Sequence, residues 1–212
     1  MKYKGIIFDL DGVICTTDEQ HYLAWKAAAD KLGIPFDRER NNLLRGVSRM
    51  ACVDIILEKS SRHFTDEEKL QIATEKNDLY RKLLGDLSEK DLSEDVSNTL
   101  NSLRSAGLKL AIGSSSKNTP YILERIGLCN FFDAVSDGNN ITHSKPDPEV
   151  FLKAAGMLDL DPKNCLVVED AHAGVEAAVN GGFDCAAMGD GKDDKRAVLH
   201  LNKFSDLLQI LD

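Results

Sequence analysis

The chain has 212 residues, 42% of them apolar, and a formal net charge of −9 at pH 7. That length suffices for one core plus an insertion, and the apolar fraction for a sizeable buried interior. The acidic balance excludes sequence-independent binding to nucleic acid, which needs a basic surface to displace counterions from phosphates; small phosphorylated ligands, held by a few local Lys and Arg residues, remain open.

In chain order, Ile6-Ile7-Phe8 reads as a short buried strand, stopped at once by Asp9. Thr17-x-x-Gln20 reads as a capping box, and Tyr22, Trp25, Ala29 and Leu32 then form a helical stripe that ends at Gly33. Met50, Val53 and Leu57 mark another helix, and Thr65-x-x-Glu68 is a second capping box, opening a long helix through Ile72, Leu79 and Leu83. No convincing strand falls between residues 16 and 87. From residue 93 the texture changes. Val96, Leu100 and Leu103 recur at helical spacing up to Gly107, and Leu108–Ile112 reads as a buried strand. Thr119-Pro120 starts a helix that Gly127 closes, and Asp147-Pro148 repeats the start signal. Leu166-Val167-Val168 and Cys185–Met188 are further buried strands, with Val175–Val179 helical between them. Such alternation predicts parallel strands joined by right-handed crossovers. The expected fold is therefore α/β: an open, mostly parallel Rossmann-like sheet core (residues 1–15 and 88–212) with an inserted all-helical cap domain (residues 16–87).

Five cysteines (Cys15, Cys52, Cys129, Cys165, Cys185) occur with no C-x-x-C pair, which fits small buried side chains in a reducing compartment rather than a disulfide framework or a zinc site. The early apolar run is too short for a signal peptide, and no stretch approaches the roughly 20 apolar residues of a membrane span, so a soluble cytoplasmic protein is expected.

The chemistry concentrates at strand ends. Asp9 and Asp11 in Asp9-Leu10-Asp11-Gly12 point the same way from extended backbone, at the edge where open α/β sheets bind ligands, and Gly12 lets the chain turn away. Glu169-Asp170 follows another buried strand and should share that edge. Acidic side chains gathered there repel unless a cation joins them, and Mg2+ suits such a set. Read singly, Asp-x-Asp-Gly also makes ordinary turns, and Glu169-Asp170 also suits a helix N-terminus. Ser114-Ser115-Ser116, after the strand Leu108–Ile112, offers hydroxyls and N–H groups to a phosphate, or is a plain loop. Lys145-Pro146 supplies a cation, or a solvated surface lysine.

Taken together and in this order, these pieces resemble the haloacid dehalogenase superfamily: D-x-D-G after the first strand, Ser after the second, Lys before a later helix, and an acidic pair after the fourth strand. Within it the chain is similar to the β-phosphoglucomutase family along nearly its whole length, through F-D-L-D-G-V-I (8–14), H-x-x-A-W-K (21–26), G-V-S-R (46–49), K-N-D (76–78), S-x-S-K-N (114–118), S-K-P (144–146) and E-D (169–170). The resemblance implies a phosphoryl-transferring mutase that interconverts β-glucose 1-phosphate and glucose 6-phosphate through an aspartyl phosphate, with Mg2+ as cofactor and β-glucose 1,6-bisphosphate as activating intermediate.

It further implies Asp9 as nucleophile and Asp11 as general acid/base, with Ser114 and Lys145 holding the transferring phosphoryl group. The metal set would be Asp9, the backbone carbonyl of Asp11, Glu169 and Asp170. Arg49, Ser116, Lys117 and Asn118 would bind the far phosphate. Val47, Ser48 and Lys76 would face the sugar, Gly46 and Ser115 would also bind substrate, and His21 would lie near Asp11 with Trp25 one helical turn on. Small sugar phosphates are the expected partners of a monomer, with neither nucleic acid nor membrane. Thr16, Arg45 and Ala171 depart from the family pattern, where an aspartate, a lysine and a serine are familiar. The rival readings are a sugar-phosphate phosphatase on the same scaffold and a non-catalytic sugar-phosphate sensor; residues 190–212 carry no expected role.

Overall fold

Parallel strands covered on both faces need apolar residues at nearly every position, and four runs of this chain supply them. In the computed structural model, which describes residues 2–45 and 47–211, these runs are β1 (Gly5–Phe8), β2 (Lys109–Gly113), β4 (Cys165–Glu169) and β5 (Asp184–Ala187). Two shorter strands, β3 (Ala134–Ser136) and β6 (Leu199–His200), form the edges. Every neighbouring pair is parallel, in the order β3-β2-β1-β4-β5-β6. β1 is thus internal, with Phe8 in register with Ile112 on one side and Val168 on the other.

Side chains alternate across the sheet. Ile6, Phe8, Leu110, Ile112 and Leu166 face a layer that includes Leu100 and Leu103 of α5 (Glu94–Ser105), Ile122 of α6 (Thr119–Arg125) and Leu207 near the C-terminus. Ile7, Ala111, Val167 and Cys185 face Phe151 of α7 (Glu149–Met157) and Val175 of α8 (His172–Asn180). Each large side chain buried this way contributes about 1.5–3 kcal/mol relative to exposure.

Between β1 and α5 the described chain is helical: α1 (Asp18–Lys31), α2 (Arg38–Asn42), α3 (Arg49–Leu57) and α4 (Asp66–Leu84). These helices share their own core, with Trp25, Ala29, Phe36, Val53, Ile56 and Ala73 packed together. The expected α/β sheet with a helical cap is the observed fold. No described helix is long and apolar enough to cross a membrane.

Several local expectations shift. Gly33, Gly107 and Gly127 do end helices at positive φ, and Thr65 and Glu68 do form a reciprocal capping box. Thr17 does not cap α1 with its side chain, because that hydroxyl is engaged elsewhere. α6 starts at Thr119, and Pro148 rather than Asp147 precedes the first turn of α7. On α4 the fully buried residues are Ala73, Lys76, Tyr80 and Leu84, next to rather than along the expected Ile72–Leu79–Leu83 stripe. Four of the five cysteines are buried, and Cys129 is exposed.

Candidate active site

The register of the sheet assembles the site. Asp9 follows β1, Ser114 follows β2 and Glu169 ends β4, so adjacent strands deliver them to one edge. Gly12, at φ +89°, turns the chain away, and a Cβ there would lie 2.1 Å from an Asp170 carboxylate oxygen. No side chain fits that space.

Lys145 Nζ lies between two buried carboxylates, 2.5 Å from Asp9 Oδ1 and 2.5 Å from Glu169 Oε1. The other oxygen of Glu169 accepts the Ala171 N–H at 2.8 Å. Oxygens of Asp9, Glu169 and Asp170 all lie within 4.8 Å of one another. Among the described residues, no donor reaches the Asp170 carboxylate. Burial, followed by the nearby Glu169 charge, pushes Asp170 up to about 9. Burial also raises Asp9, to about 7, against the pull of Lys145. Burial works to lower Lys145, but its two carboxylates outweigh that and hold it well above the usual lysine range. Three buried carboxylates facing one ammonium leave net negative charge on hard oxygen donors. That is the donor set a divalent cation such as Mg2+ takes, so the residues present fit such an ion.

Asp11 is turned from this cluster. Its Oδ1 accepts the Thr17 N–H at 2.7 Å and its Oδ2 the Thr17 hydroxyl at 2.6 Å. Thr17 Oγ1 also lies 2.7 Å from the Tyr80 hydroxyl, which joins α4 to the acid. Burial raises Asp11, and the Thr17 bonds oppose that rise. His21 Nε2 lies 3.6 Å from Asp11 Oδ2, while its Nδ1 lies 3.0 Å from Lys76 Nζ. Burial first, then Lys76 and Arg49, holds His21 well below its ordinary value. A neutral ring accepting from Lys76 at Nδ1 carries its proton on Nε2, facing Asp11. Lys76 is itself 4% exposed, stacked 4.6 Å from the Trp25 ring centre and 4.4 Å from that of Tyr80, and burial lowers it to about 7.

The segment after β2 forms a chain of small contacts. Ser116 N–H donates to Ser114 Oγ at 3.3 Å, and Asn118 N–H to Ser116 Oγ at 3.1 Å. The Ser115 hydroxyl is buried and, among the described residues, has no hydrogen-bond partner. Asn118 is fixed at both ends of its amide from α4: Arg81 donates to its Oδ1 at 3.2 Å, and its Nδ2 donates to Asn77 Oδ1 at 3.0 Å. Ser48 caps α3 by accepting the Ala51 N–H, Arg49 opens that helix, and burial lowers the Arg49 guanidinium.

One cavity of about 460 Å³ between the helical insertion and the sheet edge is lined by Asp9, Asp11, His21, Trp25, Val47, Ser48, Arg49 and Lys76. Ser114, Ser115, Ser116, Lys117, Asn118, Lys145, Glu169 and Asp170 line it too. Of the residues expected from sequence, Gly46 lies outside the described residues. Trp25 is 2% exposed and belongs mainly to the core of the cap. Thr17, Asn77 and Tyr80 were not expected at the site. A signal existed for Asn77, inside the K-N-D segment, and for Tyr80, one helical turn after Lys76; the capping-box reading of Thr17 concealed its bond to Asp11.

The sequence pattern of the haloacid dehalogenase-like hydrolases matches residues 3–182. A β-phosphoglucomutase of Bacillus subtilis (strain 168) is 39% identical over 206 residues, covering 96% of this chain and 91% of that protein. A fructose-1-phosphate phosphatase of Escherichia coli (strain K12) is 31% identical over 183 residues, covering 86% of this chain and 95% of its own. Among solved structures, a β-phosphoglucomutase from Clostridium difficile superimposes with a TM-score of 0.91 at 34% identity, covering 99% of this chain and 96% of that one.

Proposed function

The chain belongs to the haloacid dehalogenase-like hydrolase family, and from that premise we propose that it is a β-phosphoglucomutase, interconverting β-glucose 1-phosphate and glucose 6-phosphate through a phosphorylated Asp9. The observation that carries this reading is that phosphate-type groups line one cavity from both the sheet edge and the helical insertion. Ser114 and Lys145 stand beside Asp9, while Arg49, Ser116, Lys117 and Asn118 line the same space. Hydrolysis needs one phosphate site; passing a bisphosphate back and forth needs two. Residues 16–87 are taken as the cap and residues 1–15 and 88–212 as the core.

In this reading Asp9 attacks phosphorus and the bond to the leaving sugar oxygen breaks, giving an aspartyl phosphate that divides the reaction in two. Asp11 gives a proton to the departing oxygen and takes one from the attacking hydroxyl in the return step. Thr17 orients that carboxyl, and His21 presents an N–H to it. Lys145, already against Asp9, offsets the repulsion between carboxylate and phosphate dianion, and Ser114 donates to the phosphoryl oxygens. Asp9, Glu169 and Asp170, with the Asp11 carbonyl, would hold Mg2+, which when bound neutralises charge on the transferring group. Val47, Ser48, Lys76 and Ser115 line the sugar space, and the cap excludes water.

A phosphatase is the second reading, favoured by the 31% identity to a fructose-1-phosphate phosphatase. The test is a coupled assay for glucose 6-phosphate beside a phosphate-release assay on the same sample, with magnesium, β-glucose 1-phosphate and a trace of the 1,6-bisphosphate. Isomerisation should far outrun phosphate release. The α-anomer should be a poor substrate, since a misplacement of about 1 Å costs on the order of a hundredfold in rate. Phosphate release equal to isomerisation would make the protein a phosphatase.

A further inference from the structure

Arg45 lies between α2 and α3, and its guanidinium joins two carboxylates. Nη1 donates to Asp190 Oδ2 at 2.6 Å, and Nη2 donates to Asp18. Asp18 opens α1, whereas Asp190 sits in the short 3-10 turn Gly189–Asp193 that follows β5. The link therefore runs from the helical insertion to the sheet domain. Among the described residues it is the one side-chain hydrogen bond that residues 32–64 make to the sheet domain. The α4 side is tied separately, through Asn77 and Arg81 to Asn118 and through Arg125 to the carbonyls of Gly85 and Leu87.

Its position sets it apart from an ordinary surface ion pair. Arg45 lines the same cavity as Asp9 and Asp11. The two glycines flanking Asp190 rest on Asp170: Gly191 N–H donates to the Asp170 carbonyl at 2.5 Å, and a Cβ on Gly189 would stand 3.1 Å from Asp170 Cβ. The turn that offers Asp190 is thus seated on the acidic pair itself. A guanidinium, planar and forked, can serve two carboxylates arriving from different elements; an ammonium is a point charge and serves them less well. An arginine at this position therefore has a physical consequence.

We propose that Asp18–Arg45–Asp190 is a clasp that keeps the cap seated on the core while Asp9 is phosphorylated, making Arg45 a positioning residue that sets how the phosphoryl group divides between a sugar hydroxyl and water. The inference rests on the function proposed above. In the side reaction it suppresses, a water oxygen bonds to phosphorus and the bond to Asp9 breaks, returning its electron pair to the carboxylate. The water's proton passes to Asp11, and inorganic phosphate leaves.

The test uses Arg45→Met, Asp190→Asn, the double variant and Asp190→Glu in the full chain with magnesium. Asp9 is phosphorylated with acetyl phosphate, without sugar, and the lifetime of the phosphorylated protein is followed by intact mass. Each single variant should shorten that lifetime about threefold to fivefold, the scale of a partly exposed ion pair. The double variant should do no more than either single one, since both act through one contact. Asp190→Glu, which keeps the carboxylate, should stay within about twofold of wild type. The ratio of isomerisation to phosphate release should fall by the same factors, which a general loss of folding would not produce. Unchanged lifetimes in folded variants, or a double effect equal to the product of the singles, would overturn the clasp. Failure of the mutase reading shows separately, as phosphate release matching isomerisation in wild type, and leaves the lifetime measurement intact.

Discussion

Replacing Lys145 by methionine keeps the length of the side chain and removes the ammonium between Asp9 and Glu169. Oxygens of Asp9, Glu169 and Asp170 lie within 4.8 Å of one another. Two unit charges at that separation repel by about 3.5 kcal/mol even at an effective dielectric constant of about 20. Stripping a buried charge of its partner typically costs about 3–5 kcal/mol, part of which the cluster recovers by taking up protons. Burial already raises Asp9 to about 7 and Asp170 to about 9. A carboxyl whose folded value is raised binds its proton more tightly in the native state. Its contribution is fully present below the unfolded value, near about 4, and is lost as pH climbs through the folded value. Metal-free wild type should therefore lose stability across the neutral range and above, and Lys145→Met more steeply.

Urea unfolding of both proteins, in EDTA and in saturating magnesium, at about pH 5.5 and about pH 8.5, measures this. In EDTA at the higher pH the variant should be less stable by about 3 kcal/mol, and the deficit should be clearly smaller at the lower pH. Magnesium should recover at least half of the deficit, because the ion supplies the variant's carboxylates with the positive charge they lack, whereas in wild type it adds to that of Lys145 and so binds less tightly. The same deficit in EDTA and in magnesium, at both pH values, would refute the idea that Lys145 shares its carboxylates with a metal site.

Asp9→Asn should fold normally yet fail to gain the mass of a phosphoryl group from acetyl phosphate; phosphorylation of the Asp9→Asn variant would remove Asp9 as the covalent carrier. Thr17→Val keeps shape and backbone N–H but deletes a bond that holds the Asp11 carboxyl down, so kcat should fall about tenfold and the acidic limb of its pH profile should move to higher pH. An unmoved limb would separate Thr17 from Asp11. Arg49→Lys should cost sugar-phosphate kcat/KM at least about tenfold, because an ammonium cannot replace a bidentate donor, while phosphorylation by acetyl phosphate, which has no distal phosphate, is nearly spared. Equal losses with both substrates would place Arg49 away from the distal phosphate.

The legible parts of the fold and site were those written in contiguous residues. β1, β2, β4 and β5 are apolar runs long enough to stand out, and the ends of the first three carry or adjoin a recognisable chemical group: Asp9, Ser114, Glu169. β3 and β6, three and two residues long, have no period to detect. α4 shows why burial can defeat hydropathy: its inward face includes Lys76, held by rings and by His21, which no apolar stripe announces. The expected cluster at the sheet edge assembles because parallel pairing brings strand ends together, a consequence of topology alone. The side-chain bonds that tune it are different. Thr17 to Asp11 was masked by a local helix-start pattern, and Arg45 to Asp190 spans 145 positions: Arg45 stands out as a departure from the family pattern, but nothing in the sequence pairs it with Asp190.

The central place of β1 also governs the order in which the protein can be made. Its two edges are closed by β2 and β4, with Gly5 opposite Lys109 and Cys165. At roughly 5–20 residues per second, the second partner leaves the ribosome about 10–30 s after β1. Meanwhile the apolar Ile6-Ile7-Phe8 segment has open hydrogen-bonding edges, the kind of surface on which nascent chains aggregate. The intervening helices gather Trp25, Val53, Ile56 and Ala73 from nearby sequence, and such local contacts form fast. The cap can therefore be finished while Asp9 still waits beyond an unpaired strand, and no nascent chain shorter than about Asp170 carries the complete cluster of Asp9, Lys145, Glu169 and Asp170.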